Sequence, residues 1–89
     1  MPARFQDKTV DREGRLAIGV DRDTGAAYLA IPVANRMVDY EEYYRLSDEE
    51  AERFEADPAA ARAFADEARA HRRDDRLILK PGSDRGVPR

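Results

Sequence analysis

The chain has no cysteine and no tryptophan, a single histidine, and only three phenylalanines in 89 residues. Without cysteine there are no disulfide staples and no thiolate metal ligands. Small secreted scaffolds normally depend on such staples, so the expected compartment is the cytoplasm. One histidine without a metal-spaced set of carboxylates makes neither a metal site nor a nucleophile–base pair. No metal, cofactor or enzymatic activity is expected. Large apolar residues are scarce as well: Leu, Ile, Val and Phe total 16, against 15 alanines. A single domain this short buries only about 60–65% of its unfolded surface. A core this thin leaves room for completion by a partner or a second copy, so a homodimer is one expectation. The longest apolar run, residues 25–33, is far short of the roughly 20 residues that span a bilayer. Residues 1–8 lack the apolar stretch of a signal peptide. Neither a membrane nor secretion is expected.

Charge is what the chain has in abundance: 16 basic and 19 acidic side chains, net −3. It is unevenly spread. Nine carboxylates and two arginines lie between Asp39 and Asp57, a local charge of −7 that leaves +4 for the remainder. Three of the four tyrosines, Tyr40, Tyr43 and Tyr44, fall in the same block.

Patterning predicts an α+β fold in one domain over residues 1–89. Residues 5–10 read as a short edge strand. Residues 11–14 form a turn in which Gly14 supplies a positive φ. Leu16, Ile18 and Val20 alternate with Ala17 and Gly19, the period of a half-buried strand. A turn at residues 21–25 leads to a second alternating run, Ala27, Leu29, Ile31 and Val33, with Pro32 marking the end of pairing or an edge position. Residues 39–46 read as a polar approach loop. Ser47 with Glu50 three residues on is a capping box, opening a helix over residues 48–56. Asp57 and Pro58 supply an N-cap and a first-turn proline for a second helix, over residues 58–72. Leu77, Ile78 and Leu79 read as a last strand rejoining the sheet, and residues 81–89 as a loop tail. The expected architecture is a small antiparallel sheet, a β-meander plus a C-terminal strand, with two helices packed on it.

Several constellations invite a chemical reading and do not sustain one. Asp23-Thr24-Gly25 matches the aspartic-protease triplet, but that chemistry needs two carboxylates sharing a proton in an apolar cleft. Here Asp21 and Arg22 precede the triplet, and a glycine-cornered turn explains it. His71 closes the apolar stripe of the second helix, where packing or the helix dipole accounts for it. The basic run 69–76 is interrupted by Asp74 and Asp75 in an acidic chain, so local ion pairs are expected there and not a nucleic-acid partner. Residues 9–18 resemble the first hairpin of swapped-hairpin transcription regulators. In those proteins a proline and a short basic helix follow, whereas Gly19 and Val20 continue the strand. A DNA-binding regulator and a homo-oligomeric structural module stand as the alternative readings.

The acidic block is the candidate working surface. Arg45 and Arg53 are its only cations in sequence, and like charges at this density cost stability. Tyrosine is a favoured interface anchor because it adds apolar area and a hydrogen bond at low entropic cost. Carboxylates interleaved with tyrosines suit a partner rich in Lys and Arg. The expected partner-binding residues are Asp39, Tyr40, Glu41, Glu42, Tyr43, Tyr44, Asp48, Glu49 and Glu52.

Residues 25–35, then Val38-Asp39-Tyr40-Glu41-Glu42-Tyr43-Tyr44, later 57–65 and finally Leu77-Ile78-Leu79-Lys80-Pro81-Gly82, resemble small bacterial immunity proteins. These accompany secreted polymorphic toxins of the Rhs and contact-dependent types. The resemblance covers residues 14–88 in style and segment order. It implies a non-enzymatic antitoxin that binds and neutralises a cognate toxin domain, and an acidic surface would suit a toxin with a basic active site.

Overall fold

Alternating apolar side chains in residues 16–34 form the middle of an antiparallel sheet. The structure is a computed structural model and describes residues 4–34, 39–79 and 87–88, of which only the backbone is described at Asp39, Val87 and Pro88. Strands β1 (Phe5–Asp11), β2 (Leu16–Asp21), β3 (Ala27–Ala34) and β4 (Asp39–Leu46) lie side by side in chain order. A two-residue strand, β5 (Val87–Pro88), pairs with Val33 and Ala34 of β3. Helices α1 (Asp48–Ala56) and α2 (Pro58–Arg69) follow β4.

The registers explain which residues are inside. Ile18 lies opposite Leu29, Leu29 opposite Tyr44, and Ala27 opposite Leu46. These side chains project from one face of the sheet and meet Phe54, Ala61, Phe64, Ala65 and Ala68 of the helices. Alanines on α2 let it approach the sheet closely, while Phe64 fills the space between the layers. Its ring packs 5.4 Å from Phe54 and 6.4 Å, edge-on, from Tyr44. Such aromatic contacts add about 0.5–1.5 kcal/mol each beyond their buried area. Pro32 cannot donate a hydrogen bond. It sits where β2 has ended, opposite Ala30, and β5, opposite Val33, has not begun.

The opposite face of the sheet carries a second, smaller cluster. A register shift between Asp7 and Thr9 keeps Phe5 and Asp7 on this side. Phe5 stacks on Tyr43 at 3.7 Å, and both rings meet Tyr28 edge-on at 5.4 and 5.1 Å. Tyr28 is fully buried and donates its hydroxyl to Asp7 Oδ1. Gly19 makes this crossing possible, because a Cβ there would stand 2.6 Å from the Tyr28 hydroxyl and 2.0 Å from the Gln6 carbonyl oxygen.

Both helix starts form as local chemistry dictates. Ser47 Oγ accepts from the Glu50 amide at 3.1 Å, and Glu50 Oε1 accepts from the Ser47 amide at 3.0 Å. Asp57 caps α2 through the Ala60 amide at 3.3 Å. The end of α2 was expected near residue 72 and lies at Arg69, because the chain turns through a Schellman motif. The His71 amide donates to the Ala68 carbonyl and the Arg72 amide to the Glu67 carbonyl, with His71 at φ 61°. His71 is therefore an exposed helix terminator and not the last residue of an apolar stripe.

Four further expectations are corrected. The β1–β2 loop takes its positive φ at Arg15, φ 53°, and not at Gly14. Gly14 is needed for space, since a Cβ there would lie 2.5 Å from Asp11 Oδ2 and 2.9 Å from the Arg62 side chain. The approach loop over residues 39–46 is strand β4, fully paired with β3. Leu77 to Leu79 do not form a strand. Leu77 makes one isolated bridge to Tyr44, after a 3-10 turn at Asp74–Arg76. The closing strand lies instead in the tail expected to be loop, at Val87–Pro88, while residues 80–86 fall outside the described residues.

Candidate functional site

The acidic block does not form one surface. Its first half is a strand, so its side chains alternate between faces. Tyr40, Glu42, Tyr44 and Leu46 lie on the helix-covered side, opposite Val33, Ile31, Leu29 and Ala27. Tyr44 is fully buried, and its hydroxyl donates to Glu42 Oε1 at 2.9 Å. Glu42 is itself only 4% exposed. Tyr40 packs against the core while partly buried. The expectation that Glu42 and Tyr44 contact a partner is corrected: both are core residues, because the strand period turns them inward. The Asp39 side chain lies outside the described residues.

Glu41 and Tyr43 project from the other face. Tyr43 belongs to the Phe5–Tyr28–Tyr43 cluster, whose members come from three strands and carry no local signal. Burial beside the cluster, and then the nearby Asp7 carboxylate, push the Glu41 carboxyl above its ordinary range. Burial also raises the Tyr28 and Tyr43 hydroxyls, with the Asp7 hydrogen bond adding to the effect at Tyr28. Neither tyrosine ionises in the neutral range.

The second half of the block is a helix, and the helical period gathers its charges instead of dividing them. Phe54 and Ala51 face the core. Glu50 is drawn off to the side by Arg76, whose Nη1 lies 2.7 Å from Glu50 Oε1 and 3.2 Å from the Arg45 carbonyl oxygen. Arg76 thereby holds the Glu50 carboxyl below its ordinary range, with the Ser47 amide assisting. Asp48, Glu49, Glu52 and Glu55 occupy the outward side and are exposed. None is in an ion pair among the described residues. Asp48, Glu49 and Glu52 are thus brought together, and Glu55 extends the same ridge by one turn.

Other charges are consumed in holding the fold. Arg62 pairs with Asp11 at 2.8 Å, while Arg69 donates to the Gly14 and Arg15 carbonyls at 2.8 and 2.7 Å. Together they clamp the β1–β2 loop against α2. Arg62, with the Gly14 amide, lowers the Asp11 carboxyl to about 2. Arg73 pairs with Glu67 at 2.6 Å and lies over the Phe64 ring. Within the basic run, Arg69 and Arg73 thus pair locally, with Asp66 and Glu67 of α2, while Arg76 reaches across to Glu50 of α1, and none of these pairs uses the interrupting Asp74 or Asp75.

The protease-like triplet is part of an aspartate-centred turn. Asp21, with no exposed surface, accepts from Arg4 at 2.9 and 3.0 Å, from the Asp23 amide at 3.0 Å and from the Thr24 hydroxyl at 3.0 Å. These donors, Arg4 first, lower its carboxyl to about 2. Asp23 is exposed and pairs with Arg4 at 3.3 Å. The carboxylate that organises the turn is the one before the triplet. The hairpin that resembles swapped-hairpin regulators pairs within its own chain, β2 lying between β1 and β3.

Sequence reasoning also missed a groove beside the ridge. The helices cover β2 to β4 but leave β1 overhanging, with Thr9 and Val10 exposed. Beneath the overhang lies a cavity of about 250 Å³ lined by Leu16, Ile18, Phe54 and Ala61, with Glu55 and Pro58 also on its wall. No described helix is long and apolar enough to cross a membrane. Comparison of the chain with protein-family models, curated proteins and solved structures finds no match in any of the three.

Proposed function

We propose that the chain is a non-enzymatic inhibitor of the immunity type, a cytoplasmic antitoxin that binds a basic toxin domain and neutralises it by occlusion. The observation that supports this reading best is the ridge on α1. Four carboxylates project from one side of a nine-residue helix without an ion-pair partner among the described residues, while Glu50 on the same helix is tied to Arg76. Such a ridge is suited to steering and orienting a Lys- and Arg-rich protein surface. Nucleic acid and membrane, both anionic, would be repelled by it. The binding residues of this reading are Asp48, Glu49, Glu52 and Glu55, with Glu41 on a separate face.

Co-purification from the native cell supplies the partner, and calorimetry at several salt concentrations tests the contact. Binding should weaken steeply with salt. Reversing Glu49 and Glu52 to lysine should lower the affinity by at least roughly tenfold. An unchanged affinity in that variant removes the ridge from the interface.

A further inference from the structure

We propose that the groove under β1 is the anchoring pocket of the partner interface, receiving an apolar side chain that is flanked by Lys or Arg. The inference rests on the reading of the chain as a binder of a basic protein, and it adds where the partner docks and what it must present.

Three observations meet at this place. First, the helix layer stops short of β1. Thr9 and Asp11 lie on the helix side of the sheet, opposite Ile18 and Leu16, yet no helix lies over Thr9, which is exposed. Second, the space left is apolar at its base. Leu16, Ile18, Phe54 and Ala61 are 5%, 2%, 8% and 2% exposed, and the Asp11–Arg62 pair stands on the wall. Its volume, about 250 Å³, suits one or two aliphatic side chains and is too small for a folded element. Third, the wall on the α1 side is Glu55, the end of the acidic ridge, which has no ion-pair partner among the described residues. Energetically dominant interface contacts are typically apolar anchors in a pocket with charges at the rim. A Leu or Ile entering this groove would bring a neighbouring Lys or Arg against Glu55, and a further one along the ridge against Glu52.

The same edge disfavours a second copy of the chain as occupant. Continuous pairing of β1 with another β1 would have to pass the register shift between Asp7 and Thr9 and the exposed Lys8. Bulges and edge lysines are the devices that keep sheet edges from pairing.

The test uses the full chain, labelled with ¹⁵N, and two synthetic peptides, acetyl-Gly-Lys-Leu-Lys-Gly-amide and the same peptide with Glu in place of Lys. The Lys peptide should shift the amides of Leu16, Ile18, Glu55 and Ala61 in a saturable way at millimolar concentration, and the Glu peptide should not. Thr9→Trp, which fills the groove from an exposed position, should abolish the shifts. Glu55→Lys should weaken binding by roughly fivefold or more, with the far-UV dichroism of both variants unchanged. If the Lys peptide shifts only the outward residues Asp48, Glu49 and Glu52, the groove proposal is overturned while the basic-partner reading stands. If neither peptide shifts any amide, or both shift the same ones, the groove proposal is overturned, and the basic-partner reading is decided separately by the affinity of the co-purified partner for the Glu49 and Glu52 reversal. A concentration-dependent dimer that buries the groove amides also overturns it.

Discussion

Strand β4 and helix α1 come from one continuous acidic stretch, yet they put their charges to opposite uses. In β4 the two-residue period sends alternate side chains to opposite faces. Tyr44 and Glu42 are sealed beneath the helices, and Tyr43 joins an aromatic cluster on the far side. In α1 the 3.6-residue period collects Asp48, Glu49, Glu52 and Glu55 on one exposed side. One continuous acidic run therefore gives structure in one half and an exposed charged surface in the other. The secondary-structure period, and not the count of carboxylates, decides which residues are available to a partner.

The comparison is broken most sharply at Tyr44. Replacing it with alanine should cost about 3–5 kcal/mol, as for other large buried aromatics. Tyr43→Ala, on the half-exposed cluster, should cost about 1–2 kcal/mol. Urea unfolding measures both, and equal losses would mean that the two faces of β4 are not so different. Next comes Gly19→Ala, which pushes a methyl group between the Gln6 carbonyl and the Tyr28 hydroxyl. It should cost about 1–3 kcal/mol by overpacking and loosen β1, visible as faster amide exchange in residues 5–11.

Acid should act on the clamps and leave the ridge aside. Asp21 and Asp11 titrate at about 2 in the folded chain, below the ordinary carboxylate value of about 3.9. Their stabilisation is fully present above the unfolded value and is lost as the pH falls from about 4 to 2. Thermal unfolding between pH 7 and 2 should show this loss, and Asp21→Asn should flatten part of it. A smaller and opposite effect is expected at His71, which holds a left-handed φ of 61° that suits glycine. His71→Gly should stabilise the chain by about 0.5–1 kcal/mol. Smallest of all, Glu52→Lys combined with Glu55→Lys should change stability by no more than about 0.5 kcal/mol, since neither side chain has an ion-pair partner among the described residues.

What was legible in the sequence follows the range of the interactions. Ser47, Glu50, Asp57 and Pro58 act within one helical turn, and they mark both helix starts. The alternation of Leu16 and Ile18, and of Leu29 and Ile31, likewise identified the central strands. β4 was also readable, because Tyr40, Tyr44 and Leu46 keep a two-residue period, but the density of carboxylates hides it when charge is weighed before period. The remainder depends on distant pairs. Phe5, Tyr28 and Tyr43 meet only after three strands have aligned, and Arg76 reaches Glu50 only after α2 has folded back. Gly14 and Gly19 read as a turn residue and a strand filler, whereas each is required by what approaches it, the Arg62 side chain and the Tyr28 hydroxyl.

The central claim is that α1 carries the usable half of the acidic block and β4 the structural half. The most direct test measures affinity for the co-purified basic partner and the urea midpoint on the same two variants, Glu49→Lys with Glu52→Lys, and Tyr44→Ala. The expected result is an affinity lowered at least roughly tenfold with an unmoved midpoint in the first, and a midpoint lowered sharply in the second. An α1 variant that binds as tightly as the parent chain would contradict the claim.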